Sequence, residues 1–149
     1  QQLGPLLNGF INYETWVPSK QMLTPDVEAF LKEYQSRAKA EGVDPLGYYL
    51  GTWGYAYLEL LGKAVEGSKS INDDKIAEYL RSNTIKTIMG DIKFGPDGEW
   101  AEPRILTIQY QGVTGNDLEQ FARPGVQVIL DPPAYKTGTL RYPYRFGGK

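Results

Sequence analysis

The chain has 149 residues, 41% of them hydrophobic and 23% charged, with a formal charge of −2; this is the balance of one globular domain and not that of a nucleic-acid-binding surface. It contains neither His nor Cys, which excludes thiol nucleophiles, Ser-His-Asp triads and zinc held by imidazole or thiolate, and leaves an enzyme only carboxylates, Lys or Tyr to work with. No cofactor is implied, and no apolar run approaches the ~20 residues that span a bilayer.

From the amino end, Leu6 to Tyr13 reads as a short strand, and Glu14 to Pro18 as a loop anchored by Trp16. A helix follows. Thr24 suits the N-cap, Pro25 the first helical position, and Asp26 and Glu28 complement the helix dipole. Val27, Phe30, Leu31, Tyr34 and Ala38 form its apolar stripe, and Gly42 its stop. Asp44-Pro45 is a turn signal leading into the longest helix, Gly47 to Gly67. There Leu50, Gly54, Tyr57, Leu58, Leu61 and Val65 make one stripe, and Tyr49, Trp53, Ala56, Leu60 and Ala64 a second beside it. So wide an apolar face predicts burial on more than one side. Tyr48, Tyr49, Trp53, Tyr55 and Tyr57 crowd the first two turns, where unpaired N–H groups carry partial positive charge. They have two readings: packing, or the lining of a pocket for a small organic acid.

Asn72 caps a third, short helix containing Ile76, Ala77 and Leu80; Ile71 and Ile76 stand where a hydrophobic staple forms, and Asp73 and Asp74 read as capping charge. From Ile85 the period changes. Ile88 to Phe94, the turn Gly95-Pro96-Asp97-Gly98, and Pro103 to Gln111 read as strand, turn, strand. Ile105, Thr107 and Gln109 alternate with Leu106, Ile108 and Tyr110, so both faces of the second strand are partly covered. Asp117 to Phe121 reads as a helical turn and Val126 to Leu130 as a short buried strand. After Pro132 the chain is an irregular tail, with Arg141, Arg145 and Lys149 making a basic, solvated end.

The order of these elements carries a resemblance. Asp44-Pro45-Leu46-Gly47-Tyr48-Tyr49 before an aromatic helix, the capped DDKIAEYLRSNTIKT, Met89-Gly90, Ile92 to Glu99 and Leu106 to Tyr110 together resemble the C-terminal part of type I periplasmic solute-binding proteins of the branched-chain amino-acid group. The likeness runs from about Gly9 to about Leu130 and lies in order and spacing, not in one motif. It implies an α/β fold, helices on a mixed sheet plus hinge strands near Gly90 to Phe94 and Leu106 to Gln111. Residues 1–131 would contribute to two lobes and the hinge, and 132–149 would be the tail. It also implies a non-enzymatic receptor of an ABC importer in the periplasm. The ligand would be a small amino acid or an aromatic or carboxylic acid held in an inter-lobe cleft, and the membrane subunits of the importer would be partners. The start of the central helix lines the ligand side-chain pocket in some family members, which implies Tyr49, with Tyr48 beside it and Trp53 one turn further in. The absence of an initiating Met and the greater length of family members imply that an N-terminal portion completes the fold, either as a second polypeptide or replaced by self-association. Two other functions stand beside this one. One is a ligand sensor of the same fold without transport. The other is a carboxylate hydrolase using Asp91, Asp97, Glu99 and Glu102.

Overall fold

Local chemistry starts and stops the helices. In the computed structural model, which describes residues 2–144, helix α1 spans Pro25–Glu41. Its Thr24 hydroxyl accepts from the Val27 N–H at 3.4 Å, satisfying one of the donors a helix start leaves open, and Gly42 ends it at φ 66°. Helix α2 runs Leu50–Ser68 and helix α3 Asp73–Ser82, the latter capped by Asn72 accepting from Lys75 N–H at 3.2 Å. The strands are β1 (Ile11–Glu14), β2 (Ile85–Thr87), β3 (Gly90–Ile92), β4 (Leu106–Tyr110) and β5 (Gln127–Asp131). The chain is thus α/β, and every ladder among the described residues is antiparallel.

Two compact units form. The first holds the described residues up to Leu46 and from Ile105 to residue 144; the second is Gly47–Arg104. The sheet of the first unit has the order β1-β4-β5, with Ile11 opposite Gln109 and Ile108 opposite Ile129. Its core contains Trp16, Val17, Val27, Leu31, Leu106, Ile108, Val113, Phe121 and Ile129. Trp16 is buried as a loop anchor should be. The central strand β4 is covered on both faces, as its alternation predicts: Leu106 and Ile108 are buried on one, Gln109 on the other. Above Gln109 lies the tail. The Gln109 amide donates to Gly9 O and Arg141 O, both at 3.1 Å, and its oxygen accepts from Arg141 N–H at 2.9 Å. Gln111 Nε2 bonds to Gln109 Oε1 at 2.8 Å and to Thr139 O at 2.9 Å. Arg145 and Lys149, expected at the basic end, lie outside the described residues.

In the second unit α2 packs against α3 and β2. Gly67 lies against the Tyr79 ring, where a Cβ would collide with it, so this glycine serves close helix packing; the helix stops two residues later, at left-handed Lys69. Glu59 fastens the β2–β3 hairpin to α2. Its Oε2 accepts from the buried Ile88 N–H at 2.9 Å, and its Oε1 from Lys63 Nζ at 2.6 Å, which also bonds Lys86 O at 2.6 Å.

Four local expectations are corrected. The first strand begins at Ile11, not Leu6, because Pro5 opens a 3-10 turn and Asn8 is drawn into a reciprocal pair with the Val113 backbone, at 2.8 and 2.9 Å, before Gly9 turns at φ 90°. Helix α2 starts at Leu50 and is not buried on two sides: Leu50, Tyr57 and Leu58 are 75%, 70% and 67% exposed, while Thr52, Ala56 and Ala64 are buried. The staple before α3 does not close, since Ile71 is 87% exposed; the Asn72 cap suffices. Finally, Leu106–Tyr110 does not pair with the strand before the Gly95–Gly98 turn. That strand, β3, pairs with β2 around Ile88-Met89, where Thr87 Oγ1 accepts from Met89 N–H at 3.1 Å. The segment Gly90–Phe94, expected as a hinge strand, therefore lies wholly inside the second unit.

Candidate ligand-binding site

The Gly95–Gly98 turn does form, and it builds a site. Gly95 N–H donates to Glu99 O at 2.8 Å, Gly98 N–H to Gly95 O at 3.0 Å, and Ala101 N–H to Lys93 O at 2.8 Å. Gly98 takes φ 83°, a conformation that favours glycine, and Asp97 Oδ1 accepts from Glu99 N–H at 3.1 Å. The turn sets Phe94 and Trp100 opposite each other in an isolated antiparallel bridge. Trp100 then meets Trp53 of α2 edge to face, with ring centroids 6.2 Å apart and planes at 85°. Between α2 and this turn lies a cavity of about 400 Å³, lined mainly by Trp53, Tyr57, Leu60, Phe94, Glu99 and Trp100. Its wall is largely apolar and its size is that of a small-molecule site.

Of the three residues that the resemblance singles out, only Trp53 lines this cavity; Tyr48 and Tyr49 do not, while of the other two aromatics read as possible pocket lining Tyr57 does and Tyr55 does not. Tyr49 is the N-cap of α2, 59% exposed, with no side-chain cap bond. The Tyr48 and Tyr49 carbonyls accept from Thr52 Oγ1 at 2.9 and 3.2 Å, so these residues are held by their backbones while the Tyr49 ring stays exposed. Phe94 and Trp100 were missed because they read as strand residues flanking an ordinary turn. Two large aromatics bracketing a Gly-Pro-Asp-Gly turn was the available signal. The four carboxylates weighed for hydrolysis, Asp91, Asp97, Glu99 and Glu102, are all exposed, and Asp97 is spent on its own turn. Among the described residues no cluster of acidic side chains could hold a metal ion, and no helix is long and apolar enough to cross a membrane.

The first unit carries a second polar feature. Glu14, half-buried, has its carboxyl pKa raised above the ordinary 4.5 by burial, which the Asn12 amide bond at 3.2 Å only partly offsets. Tyr110 is raised above 10.0 by burial first and then by the negative charge of Glu14, against hydrogen bonds from Gln127 and Asn12. A group whose folded pKa lies above its unfolded one favours the fold fully below the unfolded value and loses that contribution as pH rises through the folded value. Stability is therefore expected to fall as pH climbs through the window just above 4.5, and again above 10.0. Glu14→Gln should flatten the first slope and lower the Tyr110 pKa, read from its ring-carbon shift by NMR. An unchanged Tyr110 titration would separate the two groups.

Comparison with known proteins gives two likenesses. The fold matches a crystal structure of a leucine-binding protein from Thermotoga maritima with a TM-score of 0.53 and 20% sequence identity, over 74% of this chain and 30% of that one. A Pseudomonas aeruginosa protein described as an amino acid binding protein is 31% identical over 77 residues, 52% of this chain and 19% of that protein. No family model matches the chain. The chain thus spans less than a third of either protein, and its fold is part of the periplasmic-binding-protein fold.

Proposed function

We propose, from a chain whose fold is part of that of a leucine-binding protein, that it belongs to the solute-binding receptor of an ABC importer in the periplasm. Its ligand would be a small amino acid or an aromatic or carboxylic acid. The observation that carries this reading is the fold likeness over 74% of the chain; the Pseudomonas aeruginosa relative, named for amino acid binding, supports it over a shorter span. Receptors of this kind work by domain closure, in which a ligand that binds the closed state more tightly shifts an existing equilibrium. No step in that cycle needs a nucleophile or a metal, which agrees with a chain lacking His and Cys.

In this reading Tyr49 and Tyr48, with Trp53 one turn further in, line the side-chain pocket of the ligand, and the exposed ring of Tyr49 is available for that role. The chain passes from one compact unit to the other at Leu46-Gly47 and at Arg104-Ile105, and these passages would act as hinge crossings. The exposed apolar residues Leu50 and Leu58 of α2, which do not line the cavity between α2 and the 94–100 turn, are where an N-terminal portion of the receptor would dock. The importer's membrane subunits would be its further partners.

The test is isothermal titration of leucine, phenylalanine and benzoate into the chain together with the polypeptide that completes the two lobes. Saturable binding of one of these acids, weakened at least about tenfold by Tyr49→Ala, supports the proposal. Binding of none of them, or binding indifferent to Tyr49→Ala, overturns the ligand class or the site respectively.

A further inference from the structure

The cavity between α2 and the 94–100 turn has a chemistry different from that of an acid-binding cleft. Trp53 and Trp100 stand at 85° with centroids 6.2 Å apart, so their rings form two walls of a corner. Phe94 and Tyr57 add further aromatic residues, and the one acidic residue on the lining is Glu99. Aromatic faces carry negative quadrupole density and attract cations, most of all a large, weakly hydrated one that costs little to bring out of water. The surroundings have the same sign. Residues 91–104 hold Asp91, Asp97, Glu99 and Glu102 against Lys93 and Arg104, and the Lys93 ammonium is committed to Arg81 O at 2.5 Å. An aromatic acid seated here would set its carboxylate near Glu99, in a segment that is already negative.

We infer that this cavity, with its indole corner and Glu99 on its lining, is a binding site for an organic cation bearing a quaternary or alkylated ammonium group. At about 400 Å³ it admits a small molecule whose ammonium head fills the corner and whose remainder lies along Leu60 and Phe94. The inference uses only residues of the second unit and does not rest on the proposed acid-binding cleft: it shares Trp53 with that reading, while Tyr48 and Tyr49 do not line the cavity.

The experiment titrates tetramethylammonium chloride into the chain at constant ionic strength and follows tryptophan emission. Of the three tryptophans, Trp53 and Trp100 line the cavity, while Trp16 is buried in the first unit and supplies a constant background. Neopentyl alcohol, a neutral molecule of nearly the same shape, is titrated in parallel. The expected result is a saturable change with the cation, absent with the alcohol, weakened about tenfold or more by Glu99→Gln and by Trp100→Leu and unaffected by Tyr49→Ala. Equal responses to cation and alcohol would reduce the cavity to an apolar pocket and overturn the inference. So would an emission indifferent to tetramethylammonium, or a Glu99→Gln variant that binds it as well as the parent. The cation-against-alcohol comparison needs no variant, so it decides the matter even where Trp100→Leu fails to fold.

Discussion

Replacing Ile108 by Ala is expected to remove about 3–4 kcal/mol of stability from the first unit, toward the middle of the range for deleting a buried aliphatic side chain. Ile108 is fully buried on the central strand β4, opposite the equally buried Ile129 of β5. Beside it the register shifts between Thr107 and Ile108, so the local backbone is held by side-chain packing as well as by the ladder. Deleting three carbons there leaves a cavity that two flanking strands cannot easily collapse to fill, and the loss is the transfer free energy plus that cavity. Against a typical domain stability of about 5–15 kcal/mol the effect is large. Urea denaturation would measure it as a lower midpoint at unchanged slope, with hydrogen exchange of the β4 and β5 amides assigning it to this sheet. Ile108→Val should cost only about 1 kcal/mol. A loss below that for Ile108→Ala would mean that β4 is not the centre of the core.

Gln109→Leu is the second large effect. The substitution keeps an apolar body of similar size but deletes both donors and the acceptor that hold the tail. Gly9 O and the Arg141 backbone N–H and C=O lose their partner, and Gln111 Nε2 loses one of its two. Buried polar groups left unmatched cost about 1–3 kcal/mol each where water cannot reach them, and less where the segment can peel away into solvent. The tail can do so. The expected outcome is a global loss of about 2–3 kcal/mol together with fast amide exchange and proteolytic cleavage confined to residues 139–144. Gln111→Leu, which removes the Thr139 contact and one bond to Gln109, should show the same pattern at about half the size. A tail that keeps its protection in Gln109→Leu would show that packing, and not this amide clamp, holds it.

The parts of the fold that were legible in the sequence are those whose physics is local. Thr24-Pro25 with Gly42, and Asn72 with Asp73 and Asp74, mark the bounds of α1 and the start of α3 because a cap is satisfied within one helical turn. Gly95-Pro96-Asp97-Gly98 marks its turn for the same reason. The alternation of Leu106, Ile108 and Tyr110 with Thr107 and Gln109 tells that β4 is covered on two sides, but not by what. An antiparallel partner three residues away and one a hundred residues away satisfy the same pattern equally well, so the pairing of β4 with β1 and β5 belongs to the tertiary structure.

The same division runs through the site. Trp53 and Tyr49 were both marked as pocket candidates by their places on the aromatic helix and by the resemblance. The partner that turns Trp53 into one wall of a corner is Trp100, 47 positions later in the chain, and it arrives there only because the turn between Phe94 and Trp100 folds back on α2. Composition alone decided what chemistry the chain cannot do, since a protein without His or Cys has no imidazole and no thiol whatever its fold. Which aromatic rings meet and which apolar stripe of α2 stays exposed were decided by long-range packing. Hydrophobic burial is non-directional and takes whichever surface arrives, so periodicity can tell that a face is apolar but not what, if anything, covers it.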